Sequence, residues 1–137
     1  MKAMKPAIVE VNTENIKLND MINVYVDDLR LCPEGFTIAR TYEEAVELLT
    51  SNEVNILSLD HDLGEDENGN LRKTGYDLVK YICENGIKVN KVYIHTDNSV
   101  GRDNMYETLE ACKRRDIIDS RIKVYKFPII PNRYKEF

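Results

Sequence analysis

The sequence predicts an α/β fold built on a doubly wound parallel sheet, and three observations point there. Strand-like and helix-like segments alternate along the chain. Three of the strand-like runs are almost wholly apolar, as expected of parallel strands covered on both faces. Each of these runs ends in abrupt polar chemistry, at Asp27-Asp28, at Asp60-His61-Asp62 and at His95-Thr96-Asp97-Asn98. A chain of 137 residues, 42% of them apolar, can bury one core but is too short for two ordinary domains.

The elements follow in order. Residues 7–18 read as two short strand-like runs around the polar turn Asn12 to Asn15, giving an amino-terminal hairpin over residues 1–20. Ile22 to Asp28 is the first buried strand, and Pro33 and Gly35 make the stretch after it a loop, where a doubly wound fold ordinarily has a helix. Phe36 to Arg40 is a short strand. Thr41 with Glu44 carries the T-x-x-E capping-box signature of a helix running to about Thr50. Val54 to Leu59 is the second apolar strand, and Gly64 to Lys73 a polar loop. Thr74 or Gly75 opens a helix through Leu78, Val79, Tyr81 and Ile82 that stops at Asn85-Gly86. Val92 to Ile94 is the third apolar strand. Met105, Leu109 and Cys112 then recur at helical spacing, before a last strand over Ile122 to Phe127 and an extended tail over 129–137. The main domain is therefore expected to span residues 21–128.

The formal charge of −5 gives no general attraction to nucleic-acid backbones or anionic membranes, so any phosphate must be bound locally. Charge is uneven. Residues 113–137 hold eight Lys or Arg against three Asp or Glu, which leaves the rest of the chain more acidic still. Cys32, Cys83 and Cys112 are too far apart for a zinc or redox motif and fit free thiols in a reducing compartment. With no signal-like apolar start and no long apolar span, a cytoplasmic location is expected.

In open α/β sheets, ligands bind at the carboxyl ends of the strands. Three strands deliver acidic or histidine residues to that edge. Asp27, Asp28 and Asp60 would make an oxygen-rich site suited to Mg²⁺ or Mn²⁺. His61 and His95, the chain's two histidines, could exchange a proton near neutral pH. Asp97, Asn98 or Ser99 can cap the helix beyond His95, placing Gly101 and Arg102 in a first turn suited to phosphate. Arg30, Arg40 and Arg102 can add charge-assisted contacts, with Arg40 also able to pair with Glu43. Thr74 reads first as a cap. The loop Glu65 to Asn70 lacks the ordered ligand pattern of a calcium site and reads as a solvated flap.

Asp27-Asp28, Asp60 and Thr96 resemble the acidic pair, phosphoacceptor and strand-four hydroxyl of bacterial response-regulator receivers, which have a flavodoxin-like fold. The spacing departs from that pattern. Asp60 follows Asp28 too closely for the usual first helix, His61 and Asp62 are foreign to an ordinary receiver, and the usual Lys-Pro step is at best Lys126-Phe127-Pro128. A closer resemblance is to the cyclic-phosphate processing receiver domain family. It is carried by Asp27 to Pro33, Ser58 to Gly64, Thr74 to Asp77 and His95 to Met105.

That resemblance implies a metal-dependent phosphoesterase with Asp27, Asp28 and Asp60 as metal ligands and His61, His95 and Asp60 in the chemistry. Arg30, Arg102, Thr96, Asn98 and Thr74 are expected to contact substrate. The implied substrates are an RNA 2′,3′-cyclic phosphate end, an ADP-ribose cyclic phosphate or a cyclic nucleotide signal. Two other readings stay open: a non-catalytic protein that sequesters a cyclic nucleotide, and a signalling receiver that accepts phosphate at Asp60.

Overall fold

The computed structural model describes residues 20–129, so the expected amino-terminal hairpin and the end of the tail lie outside the described residues. Among the described residues, five strands form one parallel sheet: β1 (Ile22–Val26), β2 (Thr37–Ala39), β3 (Val54–Leu59), β4 (Val89–Ile94) and β5 (Lys123–Tyr125). Their order across the sheet is β2-β1-β3-β4-β5, the receiver-like arrangement. Three helices connect them: α1 (Tyr42–Ser51), α2 (Gly75–Asn85) and α3 (Ser99–Arg114).

Alternation along the strands divides the sheet into two faces. Val24, Val26, Leu57, Leu59, Val92 and Ile94 point to one side, where they bury against Ala45 and Leu49 of α1, Leu78, Val79 and Ile82 of α2, and Met105 and Leu109 of α3. Ile56 and Tyr93 point the other way, into a smaller cluster with Ile129, Phe36 and Tyr125. Among the described residues no helix follows β1. The connection over 27–36 is a loop, as Pro33 and Gly35 required, with Gly35 at a positive φ of 86° that a side chain would strain.

Each helix start is fixed by its own side chains. Thr74 accepts the Asp77 N–H (3.3 Å) and Asp77 accepts the Thr74 N–H (2.8 Å), a complete capping box. Thr41 accepts the Glu44 N–H at 3.1 Å, but Glu44 reaches back one residue further than the signature implies, to the Arg40 N–H at 2.7 Å. Asn98 caps α3 by accepting the Gly101 N–H at 2.9 Å. Gly86, left-handed at φ 61°, stops α2. The short strands differ slightly from expectation. β2 extends only as far as it pairs with Val24–Val26, and β4 begins earlier, at Val89, because Val89 and Lys91 pair with Val54 and Ile56 although Asn90 and Lys91 interrupt the apolar run.

Candidate active site at the carboxyl edge of the sheet

Register brings the functional row together. Tyr25 pairs with Ser58, and Ser58 with Tyr93. Two residues further on, each strand presents Asp27, Asp60 or His95 on that same face. Backbone bonds carry the alignment past the strand ends: Asp60 N–H donates to Val26 C=O (3.0 Å) and His95 N–H to Leu59 C=O (2.8 Å). Asp27, Asp60 and His95 each offer one ligand atom, and these atoms lie within 4.8 Å of one another.

Asp27 is buried, yet its carboxyl sits below the usual carboxylate range. Burial pushes it up, but the N–H groups of Arg30 and Leu29 and the side chain of His95 outweigh burial by bonding the charged form. Both N–H groups donate to Oδ1 at 2.8 Å. Oδ2 lies 3.0 Å from His95 Nε2 and 3.7 Å from Arg30 Nε. Asp60 behaves oppositely. Burial raises its pKa, a bond from Thr96 and the His61 N–H oppose the rise, and the nearby Asp27 charge adds to it.

His95 is 2% exposed, and burial holds its pKa down to about 4 despite the Asp27 carboxylate, so the imidazole is neutral at neutral pH. Its Nδ1 is 2.6 Å from Ser58 Oγ, and its ring stacks on Tyr25 with centroids 4.3 Å apart. His61 is placed differently. Its Nδ1 is 2.9 Å from Asp62 Oδ1 and 3.3 Å from Asn98 Nδ2, and its ring lies against Gly101 in the first turn of α3. A side chain at Gly101 would collide with that imidazole. One at Gly75 would collide with the Asp60 carbonyl, so a glycine at each helix start admits the residue beside it.

A cleft of about 340 Å³ opens over this row, lined by Asp28, Arg30, Asp60, Asp62, Thr96 and Asn98 together with Asp27, Leu29, Gly64 and Asp97. The sequence grouped Asp28 with Asp27 and Asp60; the structure brings His95 into the compact cluster and puts Asp28 on the cleft wall. Neighbouring side chains diverge where the strand ends, and only Asp27 is turned inward by the loop N–H groups. Gly64, at φ 84°, makes room for Asp28: a Cβ there would lie 2.9 Å from Asp28 Oδ2. Arg30 reaches across the cleft to Asp97 at 3.3 Å. Arg40 donates to the carbonyls of Asp27 (3.2 Å) and Arg30 (2.7 Å), holding the loop from behind.

Other expected site residues stand apart from the cleft lining. Arg102 extends toward Asp103 (3.8 Å), and Thr74 is occupied as the cap of α2. Lys126 pairs with Asp103 at 3.3 Å and rests on the Tyr106 ring, a setting unlike the active-site lysine of a receiver. Ser58, Tyr25 and Asp62 were not singled out by sequence reasoning as site partners. A signal for Ser58 existed, since it is a polar residue inside an apolar strand, two positions before Asp60 and hence on the same face.

A family model described as the cyclic-phosphate processing receiver domain matches residues 22–111, from the first residue of β1 to the last turn of α3. The chain belongs to that family. No curated protein matches it. The matched stretch contains every residue of the cleft and of the Asp27, Asp60 and His95 cluster. The match supports a role related to cyclic-phosphate processing. The donor set of two carboxylates and an imidazole suits a divalent cation, which would favour the charged form of Asp60 against the burial, and the smaller push from Asp27, that raise its pKa. No helix among the described residues is long and apolar enough to cross a membrane.

Proposed function

We propose that this cyclic-phosphate processing receiver domain is a metal-dependent phosphoesterase that opens a cyclic phosphate with water. The observation that carries the reading is the convergence of Asp27, Asp60 and His95 beneath a cleft bordered by Arg30, Thr96 and Asn98. Asp27 and Asp60 would hold Mg²⁺ or Mn²⁺, with Asp28 within the same cleft. Such an ion, when bound, supplies charge neutralisation for the phosphate and lowers the pKa of water.

The chain's own residues supply the rest. Arg30, half-exposed and only loosely paired with Asp97, can swing its guanidinium onto phosphate oxygens. Thr96 fixes the Asp60 carboxylate, and its hydroxyl accepts the Asn98 N–H at 3.2 Å, which sets the entry to α3. Asp62 accepts from His61 Nδ1, leaving Nε2 to give or take a proton. In the reaction, water adds to phosphorus and one ring P–O bond breaks. The departing oxygen takes a proton, and the product is an open phosphomonoester. We assign that proton exchange to His61, whose ring meets the cleft residues Asp62 and Asn98.

The test is a panel of RNA 2′,3′-cyclic phosphate ends, ADP-ribose cyclic phosphate and cyclic nucleotides, incubated with Mg²⁺ or Mn²⁺ and read by mass spectrometry. The expected result is a product heavier by one water, dependent on the metal. A ligand that binds and stays intact would replace this reading with sequestration, and indifference to both metals would remove the metal from it.

A further inference from the structure

The cleft is more acidic than a phosphate would choose. Among the residues that line it, Asp27, Asp28, Asp60, Asp62 and Asp97 face a single lysine or arginine, Arg30. Five carboxylates outweigh one guanidinium and one divalent ion together, so charge alone does not draw an anion in. Binding strength has to come from the part of the ligand that is not phosphate.

The surface for that part stands on the rim. Six large apolar side chains are exposed among the described residues, and four of them, Leu29, Leu31, Leu71 and Val100, are 69–89% exposed and sit on the segments that wall the cleft. Leu29 belongs to the lining itself. Leu71 pairs with Glu65 and precedes Arg72, whose N–H donates to the carbonyl of the lining residue Gly64 at 3.0 Å. Val100 lies in the first turn of α3, two residues past the lining residue Asn98. Exposed leucines scattered singly are ordinary, but here they gather on three walls of one acidic cleft. Leu29 is also held in place, since its N–H donates to Asp27 Oδ1 at 2.8 Å and Arg40 grips the next carbonyl, that of Arg30, at 2.7 Å.

We infer that Leu29 and Val100 are specificity-determining residues that pack against the base of a nucleoside cyclic phosphate. This rests on the proposed function, which places the phosphate at Asp27, Asp60 and Arg30. A base has apolar faces and a polar edge, and the rim offers both: leucine and valine for the faces, and the exposed carboxylates of Asp62 and Asp97 as acceptors for amino and ring N–H groups. An acyl chain would cover those carboxylates without pairing them. The aspartates also favour a single nucleotide over an RNA end, which brings further phosphates beside them.

The experiment compares adenosine 2′,3′-cyclic phosphate with the 2′,3′-cyclic phosphate of 1-O-methylribose, which lacks the base, in Mn²⁺. The wild type is expected to show a KM roughly tenfold or more lower for the adenosine compound. Leu29→Ser should erase most of that preference and Val100→Ser part of it, with kcat and the KM for the baseless compound little changed. Leu29→Met, which keeps an apolar side chain, should retain it. Ile117→Ser, at an exposed apolar residue beyond the far end of α3, is the control. An RNA oligonucleotide with the same cyclic end should have the higher KM, and a lower one overturns the assignment to a single nucleotide.

A wild type that turns over both compounds without preference overturns the inference and leaves the proposed function standing, as does a Leu29→Ser that weakens both equally. If neither compound is turned over, calorimetry on the same pair decides. Tighter binding of the adenosine compound that depends on Leu29 upholds the inference while the hydrolytic reading falls, and binding of neither defeats both. A wild type without base preference whose self-association, read by light scattering, is lost in Leu29→Ser makes the rim an interface between copies and overturns the inference.

Discussion

The ends of β3 and β4 make an instructive pair. Each delivers a histidine to the same edge of the sheet, and each histidine has a carboxylate as partner, yet the two surroundings differ. At the end of β4, His95 is enclosed: Asp27 and Ser58 occupy its nitrogens and Tyr25 its face. Just past β3, His61 keeps about a fifth of its side chain exposed, with one nitrogen on the solvated Asp62 carboxylate and its ring against the start of α3. Nearness to an active edge therefore does not set a histidine's task. What its two nitrogens already touch, and how much water reaches them, does.

The comparison is most directly tested by removing each ring. His61→Ala should lower turnover of the cyclic phosphate by on the order of 10²–10⁴-fold, the usual contribution of general acid or base catalysis, with little change in Tm. His95→Ala should show the reverse emphasis. It takes the imidazole partner from the buried Oδ2 of Asp27 and opens a void beside Tyr25, so a stability loss of roughly 2–4 kcal/mol in chemical denaturation is expected. Equal losses of turnover at unchanged stability in both variants would erase the distinction.

Glycine at the two helix starts sharpens it. An alanine at Gly75 meets the Asp60 carbonyl, part of the backbone, which cannot step aside. Gly75→Ala should cost about 1–3 kcal/mol of stability or more. An alanine at Gly101 meets only the His61 ring, which can rotate away, so Gly101→Ala should cost less stability and more turnover. Denaturant midpoints and kcat measured on the same two variants decide the matter.

A smaller effect belongs to pH. His95 has its pKa lowered by burial from 6.5 to about 4, so the unfolded chain binds its proton first. Stability from keeping this ring neutral is fully present above about pH 6.5 and falls as pH drops toward about 4. Asp60 acts in the opposite sense, since its raised pKa favours proton uptake by the folded form. Melts in EDTA over this range should therefore show a steeper acid decline in the wild type than in His95→Gln. Asp60→Asn, relieved of a charge that burial disfavours, should melt roughly 2–5 °C higher without metal and lose any metal-dependent rise.

Much of the architecture could be read from the chain because strand ends announce themselves when apolar runs turn acidic, and because Thr74 and Gly86 punctuate α2 with strong local chemistry. The loop in place of a first helix was equally legible in Pro33 and Gly35. Less accessible was the choice between adjacent carboxylates. Asp27 and Asp28 have the same chemistry, and only the folded loop, with two N–H groups aimed at Asp27, selects one for the interior. Arg102 shows a similar limit. Its position near a helix start is visible in sequence, but the direction of a long side chain is settled by neighbours such as Asp103. Ser58 was hidden because its partner lies 37 residues away, on another strand.

The substitution of a loop for a helix after β1 has a kinetic side. A helix would hold this connection through a continuous ladder of backbone hydrogen bonds, whereas residues 27–36 are held by a few side-chain contacts, among them Asp27 Oδ1 on the N–H groups of Leu29 and Arg30 and the Arg40 guanidinium on the carbonyls of Asp27 and Arg30. The wall of the cleft that bears Arg30 can then open as a unit of its own while the sheet stays intact, and amide hydrogens at Leu29 and Arg30 would exchange through that local event rather than through global unfolding. Arg40, by gripping two carbonyls at once, sets how rarely the wall opens.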